Sequence, residues 1–431
     1  MMRKLTTIER LIDGNITYRL SIDGALPIER LRSALDRVQR KHPALRMLLR
    51  EESDGLYYAL DAAGPVPLRV AICTSEQVLA GEIAREEAAM FAPDEPLLRI
   101  AWLRTSRGGV LLITTAHRIC DGMSILTLAR ELLAGLHGEA PLAPYPPLSP
   151  LDVAAAPGGP EEGKQRMVAA VITGLIAFIP PSRRPLRHDA LRREWHVDAG
   201  LTAVLKHRCR VEQISMHAAL LAILDLALQS ALGKRAPTRI DNPIDARRGR
   251  LPQLKDDMLF FGGGSFKIAV GADRGADLWE RARDIYREMA GKMEQELQAI
   301  PGKYRFCEML KPPSEGKLRS IVRIGDALSR NGNWNQFSFS NLGPIELLEA
   351  DAPFRLEDFT LSVRSFGVRP LGLVAFALHG RLRFVFVGEE QCMSAAQVDA
   401  LEQAFMAVLR EQATHRRQVA TSAEALEMAA K

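Results

Sequence analysis

From residue 139 to 165 the chain is dominated by proline, glycine and alanine, as in "EAPLAPYPPLSPLDVAAAPGGPEEG" starting at Glu139. Proline lacks the N–H that helices and ladders need, and glycine loses the most backbone entropy on ordering. The stretch therefore reads as a long surface connection. It punctuates a chain of 431 residues, longer than the roughly 250 to 300 that one hydrophobic core serves. Two domains are expected, residues 1–180 and 181–431, with the boundary falling somewhere between 160 and 195.

Both sides of this connection mix strand and helix patterns. In the first, "ITYRLSIDG" alternates as a strand, and Ile28, Leu31, Leu35 and Val38 recur at helical spacing between Pro27 and Pro43. A hairpin is expected at Asp54-Gly55, a strand in "VPLRVAIC", a helix capped by Ser75, and a second hairpin near Gly108-Gly109. In the second, two helices flank "RVEQIS", with Ser215 capping the longer, and "TRIDNPIDARRG" reads as a strand ending in a turn. "DMLFFGGGSFKIAV" reads as a strand pair with a glycine-rich bend, "ADLWERARDIYREMAGKMEQELQ" as a long amphipathic helix, and a strand series precedes the C-terminal helix. No βαβ repeat dominates, so the class is α+β in two layered domains.

Composition narrows the function. Lys+Arg exceed Asp+Glu only by 57 to 52, with the signs interspersed, which argues against a nucleic-acid partner. Local arginine clusters, "SRRPLRHDALRRE" (182–194) and "DARRGR" (245–250), are places for an anionic group, for ion pairs or for a solvated linker. The five cysteines are scattered without a CxxC pair, as expected of reduced thiols in a cytoplasmic protein. No transmembrane segment is expected: the longest apolar run, "MVAAVITGLIAFIPP" (167–181), is shorter than the ~20 residues of a spanning helix. It is expected to pack in the core, with a helix at a substrate entrance or a lipid contact as alternatives.

The chemistry-bearing feature is "ITTAHRICDGMS" (113–124), where a strand runs into His117, and Asp121-Gly122 opens a helix. A histidine so placed is a general base, a metal ligand or simply the polar end of a buried strand. The four-residue spacing crosses a turn and lacks a further His/Cys cluster, which disfavours a metal. "FFGGGSF" lacks the Lys-Ser/Thr of a phosphate-binding loop and reads as a bend. Cys120 and Cys307 read as buried small hydrophobes, and His42, His217 and His379 as packing or surface residues.

"HRICDG" at a strand end resembles the HxxxDG motif of the superfamily that includes chloramphenicol acetyltransferase, plant BAHD acyltransferases, nonribosomal peptide condensation domains and mycobacterial polyketide-associated acyltransferases. Flanking segments agree in order: "ALPIERLRSALDRVQRKHPALRMLL", "FAPDEPLLRIAWLR", "DNPIDARRGRLP" and "FSFSNLGPI". The polyketide-associated and wax ester or lipid O-acyltransferase branches are the most similar. Where many members carry a first histidine, this chain has Ala116.

The resemblance implies two chloramphenicol-acetyltransferase-like domains in a V with a tunnel between them, and His117 as the general base. It also implies that Asp121 and Gly122 structure the loop, with Arg247 as the ion-pair partner of Asp121. Ser338, Ser340 and Asn341 are the candidate oxyanion or acceptor-site residues, the two serines sharing one strand face. The expected reaction moves an acyl group from acyl-CoA or a carrier-protein phosphopantetheinyl thioester to a hydroxyl of a lipid or natural-product acceptor. The alternatives are amide formation by a free-standing condensation domain, or an inactive member that binds a ligand. No permanently bound cofactor and no metal are expected, and an acyl carrier protein is a possible partner.

Overall fold

The structure is a computed structural model. It describes residues 1–429 except 54, 137–141, 157, 159–161, 184–188, 248–250, 272–276, 330–336, 349–351 and 366–370; for Leu11, Glu315, Ser365 and 413–429 it describes the backbone alone.

In chain order the first half forms β1 (Met2–Lys4), α1 (Thr7–Leu11), β2 (Gly14–Asp23), α2 (Ile28–Lys41), β3 (Leu48–Glu52), β4 (Gly55–Ala59), β5 (Leu68–Ile72), α3 (Glu76–Ala88), β6 (Leu98–Arg104), β7 (Gly108–Ala116), α4 (Gly122–Ala134) and α5 (Glu162–Phe178). The second half adds β8 (Ala190–His196), α6 (Ala199–Val211), α7 (Met216–Leu232), β9 (Arg239–Pro243), β10 (Ser265–Ala269), α8 (Leu278–Met309), α9 (Glu315–Leu328), β11 (Phe337–Pro344), β12 (Arg355–Ser365), β13 (Gly372–Leu378), β14 (Arg381–Glu389) and α10 (Ala395–Ala429).

Local signals explain most boundaries. Pro27 precedes α2, which buries Leu31, Leu35 and Val38 on one stripe and stops before Pro43. The hydroxyls of Ser75 and Ser215 accept hydrogen bonds from Val78 N and Ala218 N, capping α3 and α7. The glycine-rich segment departs from the expected strand pair: only Ser265–Ala269 is a strand, and residues before it run irregularly. There Gly262 lies against Ala246 and Gly264 against Ile300 and Ile244, closer than a Cβ would allow, so the backbone packs where a side chain would otherwise stand.

The three sheets are a three-stranded β1-β4-β3, a five-stranded β12-β2-β7-β6-β5 and a six-stranded β10-β9-β11-β13-β14-β8. The five-stranded sheet shows that the 1–180 and 181–431 segments do not separate cleanly. β12, from the second segment, pairs antiparallel with β2 along its length, Leu20 facing Phe359. Strand alternation then divides two cores. In β13 and β14, Leu373, Ala375, Phe384 and Phe386 face the core of the second lobe, with α7 and α10. Phe376, Leu378, Val385 and Val387 face the first core, with α2, α4 and β7. These strands read as near-continuous apolar runs because both faces are covered.

Two apolar helices have contrasting fates. Residues Met216–Arg235 are long and apolar enough to cross a membrane by length and composition, and α7 within them buries Ala218 through Leu224 in the second core. The 167–181 run, expected in the core, instead forms much of α5, whose only fully covered residue is Ala169.

Phe359 is fully buried and meets Tyr18 and Phe376 edge-on, each at 5.0 Å between ring centroids. Phe359→Ala is expected to destabilise the protein by about 3–5 kcal/mol, read as a lower urea midpoint with an unchanged slope.

Candidate active site

β7 ends at Ala116, and His117–Ile119 form one turn of 3-10 helix before Asp121 caps α4. Asp121 is in an extended conformation, and its Oδ1 accepts from the backbone N of Ser124 at 2.8 Å. Ser124 returns its hydroxyl toward the backbone N of Asp121, closing a capping box. The short Asp-Gly step thus turns a strand into a helix and pairs the amide of Ser124 in its first turn.

His117 is half-buried. Its Nδ1 lies 2.8 Å from the carbonyl oxygen of Cys120, which can only accept, so Nδ1 carries the hydrogen and Nε2 keeps its lone pair. Burial pushes the imidazole pKa below 6.5, against the opposing pull of the Cys120 carbonyl and the Asp121 charge. The shift favours the neutral ring, which meets Phe261 edge-on at 5.2 Å. Phe261 comes from the second half, so His117 stands where the halves join.

Asp121 is held from across that junction. Arg247 Nη2 donates to both carboxylate oxygens, at 2.8 and 2.9 Å, and Nη1 donates to Ser124 Oγ at 2.7 Å. Arg247 Nε stands 2.9 Å from Asp245 Oδ1, an ion pair whose N–H is not aimed at the oxygen. Ser124 Oγ also accepts from Phe260 N at 3.1 Å, and its hydrogen points to Asp121 at 2.9 Å. Only 2% of the Arg247 side chain and 22% of that of Asp121 are exposed, so the pair is screened less than a surface ion pair.

Gly122 has no positive φ, and its reason is close approach: a Cβ there would come within 3.1 Å of both Leu342 Cδ2 and Tyr18 Oη. Tyr18 donates its hydroxyl to the Gly122 carbonyl at 2.8 Å. Leu342 belongs to β11, so the strand of the "SNLG" segment touches the motif through leucine. Ser338 and Ser340 are half-exposed on the face opposite Phe337 and Phe339, which are buried in the second core. Asn341 sits at a register break, its Oδ1 accepting from Gly343 N at 2.9 Å, where Gly343 takes φ +75. The side-chain carbonyl of Asn341 is thereby committed to the bulge.

The remaining polar groups have structural roles. Burial pushes the Cys120 thiol up to about 12, and Thr115 Oγ1 lies 2.6 Å from its sulfur. His42 pairs with Glu131, while His217 donates to Asn242 Oδ1 at 2.9 Å and His379 to Leu356 O at 2.7 Å. Arg192 and Arg193 bind Thr360, Glu194, Asp399 and Glu402. Arg184, Arg187, Arg248 and Arg250, from the two clusters, lie outside the described residues. Among the described residues no three His, Cys, Asp or Glu side chains are grouped for a metal.

Residues 14–145 match the family model described as Condensation domain. Nonribosomal peptide synthetase agiA of Aspergillus flavus is 27% identical over 272 residues, 57% of this chain and 4% of the relative. Cyclosporin synthetase simA of Tolypocladium inflatum is 30% identical over 319 residues, 70% of this chain and 2% of the relative. The chain therefore spans only a few per cent of the curated relatives it matches. Among solved structures, polyketide synthase associated protein 5 from Mycobacterium tuberculosis gives a TM-score of 0.66 at 17% identity, covering 95% of this chain and 98% of that one. The first condensation domain of the CDA synthetase gives 0.65 at 16%, covering 96% of each chain.

The match over residues 14–145 and the similarity to these synthetases support the condensation-domain superfamily. The chain's fold is α+β, with the two chloramphenicol-acetyltransferase-like lobes expected from sequence. Three residues of the site escaped the sequence reading. Ser124 was legible as the fourth position of an Asp-x-x-Ser cap. Tyr18 and Phe261 were not, because each is an ordinary strand or loop aromatic until tertiary packing brings it to the motif.

Arg247→Met leaves Asp121 without its counter-charge. It is expected to cost about 3 kcal/mol in urea unfolding, with a smaller loss when combined with Asp121→Asn.

Proposed function

We propose that the protein forms an amide, transferring an acyl group from the phosphopantetheinyl thioester of a carrier protein to an amine, with His117 as the base. The observation that carries this reading is the single tautomer of His117. With Nδ1 bonded to the Cys120 carbonyl, Nε2 is the ring's available acceptor. The attacking nitrogen forms a C–N bond with the thioester carbonyl and gives its proton to Nε2. Collapse of the tetrahedral intermediate breaks the C–S bond, and the proton leaves with the thiol. Ser338 and Ser340 supply hydroxyl donors for the transient oxyanion.

Two considerations favour a carrier-bound donor and an amine acceptor over the CoA-dependent ester formation expected from sequence. The curated relatives described above are named as peptide synthetases, and the matched family model is that of condensation domains. The thiol next to His117, Cys120, is buried with its pKa held up to about 12, which suits direct transfer rather than an acyl group carried on that cysteine.

The test uses purified protein, acyl-loaded carrier proteins and acyl-CoA as donors, and amines and alcohols as acceptors, reading thiol release and product mass. Amide product from the carrier donor is expected. Ester product alone, or turnover only with acyl-CoA, would replace this reading with the O-acyltransferase one. His117→Ala is expected to lose about 10²–10⁴-fold in rate with an unchanged melting temperature; wild-type turnover no faster than that variant would leave only a binding role.

The pH dependence follows from the sign of the shift. Burial lowers the His117 pKa from its ordinary 6.5, so the basic form predominates at neutral pH. The acid limb of kcat/KM is expected to fall below about pH 6.5, with no loss attributable to His117 between pH 7 and 8.

A further inference from the structure

α5 turns its apolar side outward. Met167, Val168, Val171, Leu175 and Phe178 are 63%, 41%, 56%, 66% and 89% exposed, and their spacing places them on one helical stripe. A Cβ at Gly174 would meet nothing within 4 Å, so the stripe opens directly to solvent. Five large apolar side chains in one row exceed the scattered exposure normal on a soluble surface.

The helix is firmly mounted. At its start Glu162 accepts from Arg305, a residue of α8, at 3.1 Å, and pairs with Arg166. At its end the carbonyls of Ile176 and Ala177 accept from Lys317 Nζ at 3.2 and 2.7 Å. Just beyond, Pro180 O accepts from Ser320 and Ser182 O from Arg319, both on α9. The outward stripe is therefore a fixed ridge of the fold.

Beyond Glu162, which Arg166 and Arg305 hold, the charge along the helix is positive. From Gly163 through Arg183 the sequence holds Lys164, Arg166 and Arg183 and no acid. All three are exposed, as is Lys311, whose backbone N donates to Thr173 in mid-helix. Apolar side chains flanked by long cationic ones suit a boundary where the stripe enters hydrocarbon and the cations reach anionic headgroups. A second copy fits poorly, since two such ridges set face to face would bring like charges together.

We propose that α5 seats the protein on the surface of an anionic lipid bilayer. The helix lies along the interface, and nothing in this proposal depends on the reaction catalysed at His117.

The test floats the full chain with vesicles of phosphatidylcholine, alone or with about 30 mol % phosphatidylglycerol. Wild type is expected to rise with the mixed vesicles and not with the neutral ones. Leu175→Glu with Phe178→Glu, both at solvent-facing positions, is expected to reduce flotation on the order of tenfold with an unchanged melting temperature. Lys164→Glu with Arg183→Glu is expected to do the same in low salt only. No flotation with mixed vesicles, equal flotation on neutral ones, or an undiminished Leu175/Phe178 variant would each overturn the proposal. So would a wild-type dimer that ignores vesicles and becomes monomeric in that variant, since the stripe would then belong to a second copy.

Discussion

The bidentate pair between Asp121 and Arg247 joins the two halves of the chain at the motif that carries His117. A carboxylate at a helix N-terminus is already favoured by the helix dipole and by the free amides of the first turn. Here a second lobe supplies a buried guanidinium to it, and the same guanidinium binds Ser124, whose oxygen also accepts from Phe260. Phe261, the next residue, then lies edge-on to the His117 ring. The position of the His117 ring is thus set by contacts from both sides of the junction.

The pair also controls charge. An uncompensated carboxylate four residues from His117 would favour the imidazolium, and Asp121 does pull in that direction. Arg247 sets the opposite charge on that carboxylate, and burial, the larger influence on the ring, lowers its pKa. The loop gains a strong anchor while the His117 pKa stays lowered. A guanidinium suits this place better than an ammonium, because its planar fork meets the carboxylate and the serine oxygen together.

Much of this was legible before the fold was known. The strand into His117, the Asp-Gly turn, the caps at Ser75 and Ser215 and the Pro27–Pro43 helix all rest on local rules, and the local rules hold there. The failures share another cause. "DMLFFGGGSFKIAV" reads as paired strands by composition, but Gly262 and Gly264 serve close packing against Ala246 and Ile300, a relation no local pattern encodes. Residues 167–181 read as core by apolarity alone, although apolarity does not say whether a partner element arrives to cover it. Arg247 was placed beside Asp121 by resemblance rather than by spacing, since a pair across 126 positions leaves no periodic trace.

The crossing of β12 into the first sheet bears on how the protein is made. β2 emerges from the ribosome long before β12, the strand that completes its outer edge. Until then β2 presents an open ladder and Tyr18 lacks its Phe359 neighbour, so the first lobe waits half-finished while the second is being translated. Such long-range closure makes for slow folding. It also means that a nascent chain stalled before Arg355 would expose a sticky edge, giving a chaperone or a quality-control protease a clear mark of incompleteness.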